Sequence, residues 1–463
     1  MIPMRADEVA ALSGGHLDRA DAATLVSGPV VIDSRDAHTG SLFVALHGEH
    51  ADGHRFVADA RMRGAALALT ARPVDEPAVV VDDVEKALGF LAGGLLRRTA
   101  TVNVVGVTGS SGKTSTKDLI AAVLRRSGPT VAARGSFNNE IGLPLSVLQV
   151  DAATRHLVLE YSARGRGHIS YLAGIARPNV SVVLNVGQAH LGEFGSREDI
   201  AIAKGELIEA LPSSGVAILN ADDVLASAMR SRTSARVVTY GEAAGADVRI
   251  EELSIDDEAR ARFSLVTPVG DADIRLVVHG RHQAGNAAAA AAVGIEAGMP
   301  LAEIAAALET AAPQSPHRMA VGHRDDGLLV IDDAYNANPE SMRAALEALQ
   351  RLAAPRGGQS WAVLGEMREL GEASDTLHQA IGRDLAELGV DHLVVVGEAA
   401  RAICDGACSV SIWAGSCAVV GSVEEAVTAV ESAAGPTDAV LVKASNSLML
   451  WRVAQALMGE AAA

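Results

Sequence analysis

Short β-branched runs alternate along this chain with stretches in which apolar residues recur every three or four positions. Val102–Val107 is one such run, and Leu119, Ile120, Val123 and Leu124 then fall on one face of a helix over Thr116–Arg126. His156–Glu160 and Val180–Val186 follow as further buried strands, and Asn286–Ala297 as an Ala-rich helix that closes the block. This alternation predicts a parallel sheet covered by helices on both faces. Leu328–Ile331, Trp361–Leu364, His392–Val396 and Ala439–Val442 repeat the pattern and predict a smaller doubly wound, Rossmann-like sheet. Ahead of both lie shorter apolar runs among turn residues: Val30–Ile32, Leu42–Leu46, Ala66–Leu69 and Val79–Val81. They lead into a helix over Val84–Arg98. The expected fold is therefore α/β in three domains, residues 1–98, 99–314 and 315–463. Three domains also suit a chain of 463 residues at roughly 150 residues per domain.

Composition narrows the function. Apolar residues make up 49% and aromatics only 3%, the palette of Ala-rich helices on buried parallel strands. Lys and Arg total 39 against 57 Asp and Glu, a formal charge of −18, with no basic run, so no nucleic-acid partner is expected. An acidic chain that binds an anion must concentrate positive potential locally, through backbone N–H groups, helix N-termini or metal ions. Met1–Glu8 has no apolar run of a leader, and no uncharged apolar stretch is long enough to span a membrane. Cys404, Cys408 and Cys417 form no CxxC pair, and reduced thiols in a cytoplasmic protein are expected.

The strongest chemical signal is Gly106-Val107-Thr108-Gly109-Ser110-Ser111-Gly112-Lys113-Thr114, between a strand and a helix. Its glycines let the backbone curl so that several N–H groups face one phosphate. Lys113 can reach the terminal phosphates, and the Thr114 hydroxyl can hold Mg²⁺. The first glycine of the strict G-x-x-x-x-G-K-[ST] pattern falls on Val107, so the form here is T-G-x-x-G-K-T. Glu160 ends one strand and His190 follows another, so both can converge with this loop at the carboxyl end of a parallel sheet. A carboxylate and an imidazole beside a triphosphate suit Mg²⁺. The plainer alternatives are a solvated strand end and a loop histidine. Ser196–Asp199 reads as a capped helix start, after which Ile200, Lys204, Ile208 and Leu211 share one face. Burial on such a face lowers a lysine pKa, and a neutral amine can take up CO₂ as a carbamate. On the residues alone, a lysine snorkelling to solvent is the stronger reading.

The shifted loop resembles that of the Mur ligases and the related folylpolyglutamate synthetases rather than ordinary P-loop ATPases. Asp33-Ser34-Arg35, Gly40–Gly48 and Asp52-Gly53-His54 resemble the UDP-sugar-binding N-terminal domain of the Mur ligases. Phe137–Pro144, with Asn138 and Asn139, resembles a family segment that faces substrate. Ile331–Pro339, Leu364–Met367 and Leu370–Glu372 are similar to the family member that joins D-alanyl-D-alanine to UDP-N-acetylmuramoyl-tripeptide. Tyr161–Arg164 and Lys443–Asn446 depart from the common pattern.

The resemblance implies an ATP- and Mg²⁺-dependent amide ligase, monomeric and cytoplasmic, working through an acyl phosphate. Lys113, Lys204, His190 and Glu160 become the expected catalytic residues, and Thr114, Glu160, His190 and N-carboxylated Lys204 the metal ligands. Thr108–Thr114, Asn286, Arg318 and Asp333 would hold ATP, with Arg318 and Asp333 resembling contacts to the triphosphate and ribose. Asn286 can instead be a helix cap. Asp33, Ser34, Arg35, Asn138, Asn139, Tyr335 and Asn336 would meet the other substrates. Asp33 and Arg35 can equally close a surface turn, and Tyr335 can equally be a packing residue. Alternatives are the preceding ligase of the pathway, whose Asp-Asn-Pro-Arg signature is absent, and a folylpolyglutamate synthetase, which lacks the N-terminal block. A non-catalytic nucleotide switch is the alternative from a different class.

Overall fold

The computed structural model describes residues 1–48, 51–99, 101–188 and 191–459. His190 lies outside these residues. The expected sheets form. The central one has nine strands, and its first six run parallel: Thr130–Ala132, His156–Glu160, Asn103–Thr108, Val180–Val183, Val216–Asn220 and Arg236–Gly241 in spatial order. The inner four are near-continuous buried runs because both faces are covered. One face packs on the helix Lys113–Ser127 and the Ala-rich helix Gln283–Glu296, whose alanines let the two helices approach closely. The other face shares a core with the helix Val84–Arg97, so the first block and the central sheet are joined by continuous apolar packing.

The sheet departs from the parallel expectation at one edge. Val248–Ile255 continues it in parallel, but Arg260–Thr267 and Gly270–His279 then fold back antiparallel. These strands alternate buried and exposed positions, because one face is open to water. The central block also extends past the Ala-rich helix through a second helix, Leu301–Glu309.

The first block holds a five-stranded sheet, parallel except for the edge strand His16–Asp18. The third block has six strands, parallel except for the edge Ala320–His323. Helices Pro339–Ala353, Ser374–Glu387 and Arg401–Cys408 cover one face, and Val423–Glu431 with Trp451–Leu457 the other. This is the doubly wound arrangement expected. The cysteine expectation is corrected here: Cys404 and Cys417 are disulfide-bonded across a Cα–Cα distance of 6.0 Å, and only Cys408 is free. The packing of Arg401–Cys408 on the strand Ser416–Val420 brings the two together. Spacing along the chain could not reveal that.

Candidate active site

Strand Asn103–Thr108 lies between His156–Glu160 and Val180–Val183, with Glu160 in register with Val107 and Val183 with Thr108. Three carboxyl ends therefore open at one level, and the phosphate loop leaves the middle one. Gly112 has φ +81°, and a Cβ there would fall 2.9 Å from the Asn286 side-chain oxygen. A Cβ on Gly109 would meet Leu184 at 2.8 Å. The loop thus needs glycine at both positions, once for conformation and twice for space. Lys113 opens the helix and donates to the Gly109 carbonyl at 2.8 Å. Burial pulls its pKa down, the Glu160 carboxylate opposes that, and the Arg318 charge adds to it. Thr114 is buried, and its hydroxyl accepts from Arg318 Nη2 at 3.1 Å. That bond joins the third block to the phosphate loop.

Glu160 is fully buried. Its Oε2 accepts from Asn138 Nδ2 at 3.3 Å, while its Oε1 has no partner among the described residues. An orphaned buried carboxylate oxygen facing a phosphate loop has the chemistry of a cation ligand. Among the described residues no three His, Cys, Asp or Glu side chains cluster as a metal site. Lys204 is only 4% exposed, and its pKa is driven well below the ordinary value by burial and then by the Lys113 charge. It sits behind the cavity wall rather than in it.

The cavity, about 1230 Å³, lies between the central and third blocks, large enough for a nucleotide and a second reactant. Of the residues singled out from sequence, Ser110–Thr114, Glu160, Asn138, Asn139, Asn286, Arg318, Asp333, Tyr335 and Asn336 line it. So do Ser162, Arg164 and Asn446 from the two departing segments. Several already have partners. Asn139 Oδ1 accepts from Gly142 N at 2.8 Å in the turn that leads into the helix Gly142–Val147, and Asn286 donates to Gln283 at 2.9 Å. Arg318 lies 4.2 Å over the Tyr335 ring, whose hydroxyl bonds Ser136. Asp333 accepts from Lys443 Nζ at 2.6 Å.

Two groups are placed elsewhere. Thr108 is fully buried, its hydroxyl tied to the Tyr161 carbonyl at 2.8 Å, so it holds the strand rather than facing the cavity. Asp33–Arg35 lies in the first block, away from the cavity-lining set. Arg35 is clasped by its own neighbour, with Arg35 Nε 3.0 Å from Asp33 Oδ1, and this pairing holds the Asp33 carboxyl at about 2. Ser34 donates to Asp59 at 2.7 Å.

Sequence reasoning missed Asn185 and gave no role to Lys443. Asn185 Oδ1 accepts from the Ser110 and Ser111 amides at 2.9 and 3.0 Å, and so braces the phosphate loop. Its place just past a central parallel strand was the available signal. Lys443 is buried at the end of the strand Ala439–Lys443 and donates to Asn336 O at 2.8 Å as well as to Asp333.

Three family models match the chain in order: Mur ligase family, catalytic domain, over residues 29–93; Mur ligase middle domain, over 107–294; and Mur ligase, glutamate ligase domain, over 317–446. The chain belongs to the Mur ligase family. A Mycobacterium tuberculosis Mur ligase, the UDP-N-acetylmuramoyl-tripeptide–D-alanyl-D-alanine ligase, is 46% identical over 99% of this chain and 98% of its own length. The Escherichia coli protein of the same name is 35% identical over 87% of this chain and 88% of its own. The Mur ligase fold extends over the whole chain. A crystal structure of MurF from Acinetobacter baumannii superposes with a TM-score of 0.87 at 34% identity, covering 99% of both chains. MurF ligase from Thermotoga maritima, solved in complex with ADP, gives a TM-score of 0.78 at 30% identity, covering 94% of this chain and 98% of its own.

Proposed function

We propose that this Mur ligase joins D-alanyl-D-alanine to UDP-N-acetylmuramoyl-tripeptide at the expense of ATP, as a cytoplasmic monomer in peptidoglycan precursor synthesis. The observation that carries the chemistry is the convergence of the phosphate loop, the unpaired Glu160 oxygen and Arg318 from another block on one cavity. Similarity along the whole chain to ligases of that name supports the choice of substrates.

The terminal carboxylate of the tripeptide attacks the γ-phosphorus of ATP, the bond to the bridging oxygen breaks, and ADP leaves. The dipeptide amine then attacks the acyl carbon of the acyl phosphate. It loses a proton, and inorganic phosphate departs as the amide forms. Little of this needs covalent help from the protein; positioning and charge stabilisation dominate. The loop amides and Lys113 hold the β- and γ-phosphates, and Arg318 reaches them from the opposite wall. Asn286 and Asp333 border the nucleoside end, while Asn138, Tyr335 and Asn336 border the peptide. Thr114 and Glu160, with His190 and an N-carboxylated Lys204, would hold Mg²⁺, which supplies charge neutralisation at the phosphates. Burial of Lys204 favours the neutral amine that carbamate formation requires. Asp33, Ser34 and Arg35 belong to the UDP end.

The test is a substrate panel scored by mass spectrometry of the product. D-alanyl-D-alanine, lysine, diaminopimelate and glutamate are offered at equal concentration with a UDP-muramoyl tripeptide or dipeptide. Ligation of the dipeptide amine to the tripeptide is expected. Ligation of a diamino acid to the UDP-dipeptide would move the chain to another member of the family.

A further inference from the structure

The crossing from the central to the third block is held in an unusual backbone conformation. His317 and Met319 have φ of +57° and +50°, and neither is glycine. L residues keep that conformation only where their surroundings hold it. Arg318 stands between them and reaches Thr114 of the phosphate loop. Each flanking residue is fastened separately to the third block. Met319 N donates to Asp333 Oδ1 at 3.1 Å. His317 Nδ1 lies 2.6 Å from Asp332 Oδ2, its ring stacks on Trp451 at 5.3 Å, and its carbonyl accepts from Tyr335 N at 3.2 Å. On the central side, Ser315 donates to Asp118 Oδ2 at 2.9 Å.

We propose that His317 is a positioning residue: its clasp on Asp332 and Trp451 holds the left-handed crossing and so presets the Arg318 guanidinium over the phosphate loop. The argument is geometric. The side chain of His317 does not line the cavity, so it has no direct access to a bound reactant. Arg318 does line it, and among the described residues its lateral support comes from the Tyr335 ring and the Thr114 hydroxyl. The direction in which the guanidinium leaves the chain is set by the backbone at 317–319. Relaxing φ at His317 to a negative value would swing Arg318 away from Thr114. The same clasp ties the strand Leu329–Asp332 and the C-terminal helix Trp451–Leu457 to the crossing, so movement of the third block is transmitted to one cation.

The proposal rests on the ATP-dependent reading of this cavity, so its main readout is nucleotide affinity, which does not depend on which amine is ligated. Affinity of the full-length chain for a nonhydrolysable ATP analogue is measured by calorimetry in wild type, His317→Ala, Arg318→Ala and the double variant. A misplaced guanidinium should weaken binding and raise the KM for ATP by on the order of tenfold, with the KM for the UDP-peptide unchanged. On the Arg318→Ala background the loss from His317→Ala should vanish, because there is no guanidinium left to place. Asparagine tolerates the left-handed region and keeps a polar group towards Asp332, so His317→Asn should recover most of the affinity. If His317→Ala does not fold, His317→Gln takes its place in the cycle. A His317 loss that persists undiminished without Arg318, or no loss in a folded His317→Ala variant, overturns the proposal. If wild type binds the analogue but ligates no amine to a UDP-peptide, the functional reading fails while the positioning role stands.

Discussion

Replacing Lys204 by methionine should make the metal-free protein more stable while removing its activity. Lys204 is 4% exposed, in a helix face shared with Ile200 and Ile208, and burial together with the Lys113 charge drives its pKa well below 10.5. Burying a polar group in such a place costs about 1–3 kcal/mol by mutational standards. Methionine has a similar length and no charge, so Lys204→Met should return that amount. At about 2–4 °C per kcal/mol for a domain of roughly 200 residues, the midpoint should rise by about 2–12 °C. Lys204→Ala should be less stable than Lys204→Met by about 2–5 kcal/mol, because it leaves a void.

The pH dependence fixes the cause. A lysine whose folded pKa is depressed binds fewer protons folded than unfolded at every pH between the two values, so wild-type stability rises with pH across that window. The penalty is absent above 10.5 and fully present below the folded value. The advantage of Lys204→Met should therefore be largest at neutral pH and shrink as pH climbs towards 10.5. Denaturant titrations at pH 7 and 9.5, in CO₂-free buffer without nucleotide, measure it. A gap that is flat with pH, or a methionine variant that is less stable at pH 7, refutes the claim that burial depresses the Lys204 pKa. In the complete assay both variants should be nearly inactive. Short carboxylic acids should partly restore Lys204→Ala but not Lys204→Met, whose side chain fills the space.

Other substitutions probe the remaining walls. Lys113→Ala should cut turnover by about 10²–10³-fold with the fold intact by circular dichroism, because one preorganised cation is lost from the transferring phosphoryl group; near-wild-type phosphate release would sink that role. Gly112→Ala places a Cβ 2.9 Å from the Asn286 oxygen at φ +81°, and should cost about 1–2 kcal/mol in stability and abolish binding of an ATP analogue by calorimetry. Arg35→Ala should raise the KM for the UDP-peptide far more than that for ATP; equal effects would leave only the turn closed by Asp33.

What was legible in the sequence was what buried parallel strands make legible. His156–Glu160 and His392–Val396 have the expected ends because both faces are covered and polar residues begin where the strand stops. The same logic put Glu160 and the phosphate loop at one level before any coordinates. The antiparallel strands Arg260–Thr267 and Gly270–His279 were not legible, since half of each is solvated and their charges read as loop. Asn139 and Thr108 show a second limit. Both stand in motifs that point to the site, yet Asn139 Oδ1 and the Thr108 hydroxyl close a local turn and a strand contact. Motif membership identifies a segment, and the spare hydrogen-bonding capacity of each atom identifies its work.

Charge accounts for the construction of the cavity. A chain of formal charge −18 has to attract a polyanion, and few of its acidic residues are buried. Lys113, Arg318 and Lys443 instead line one space, and burial lowers the pKa of both lysines. Three cations held that close repel one another unless each is fastened. Lys113 is fastened to the Gly109 carbonyl, Lys443 to Asp333, and Arg318 to the Tyr335 ring and the Thr114 hydroxyl. Lys113 and Arg318 are thus held by neutral groups, and Arg318 Nε has no partner among the described residues. An incoming phosphate can therefore pair with Arg318 without displacing a carboxylate. Because Arg318 belongs to the crossing into the third block, its side chain couples nucleotide binding to the placement of that block.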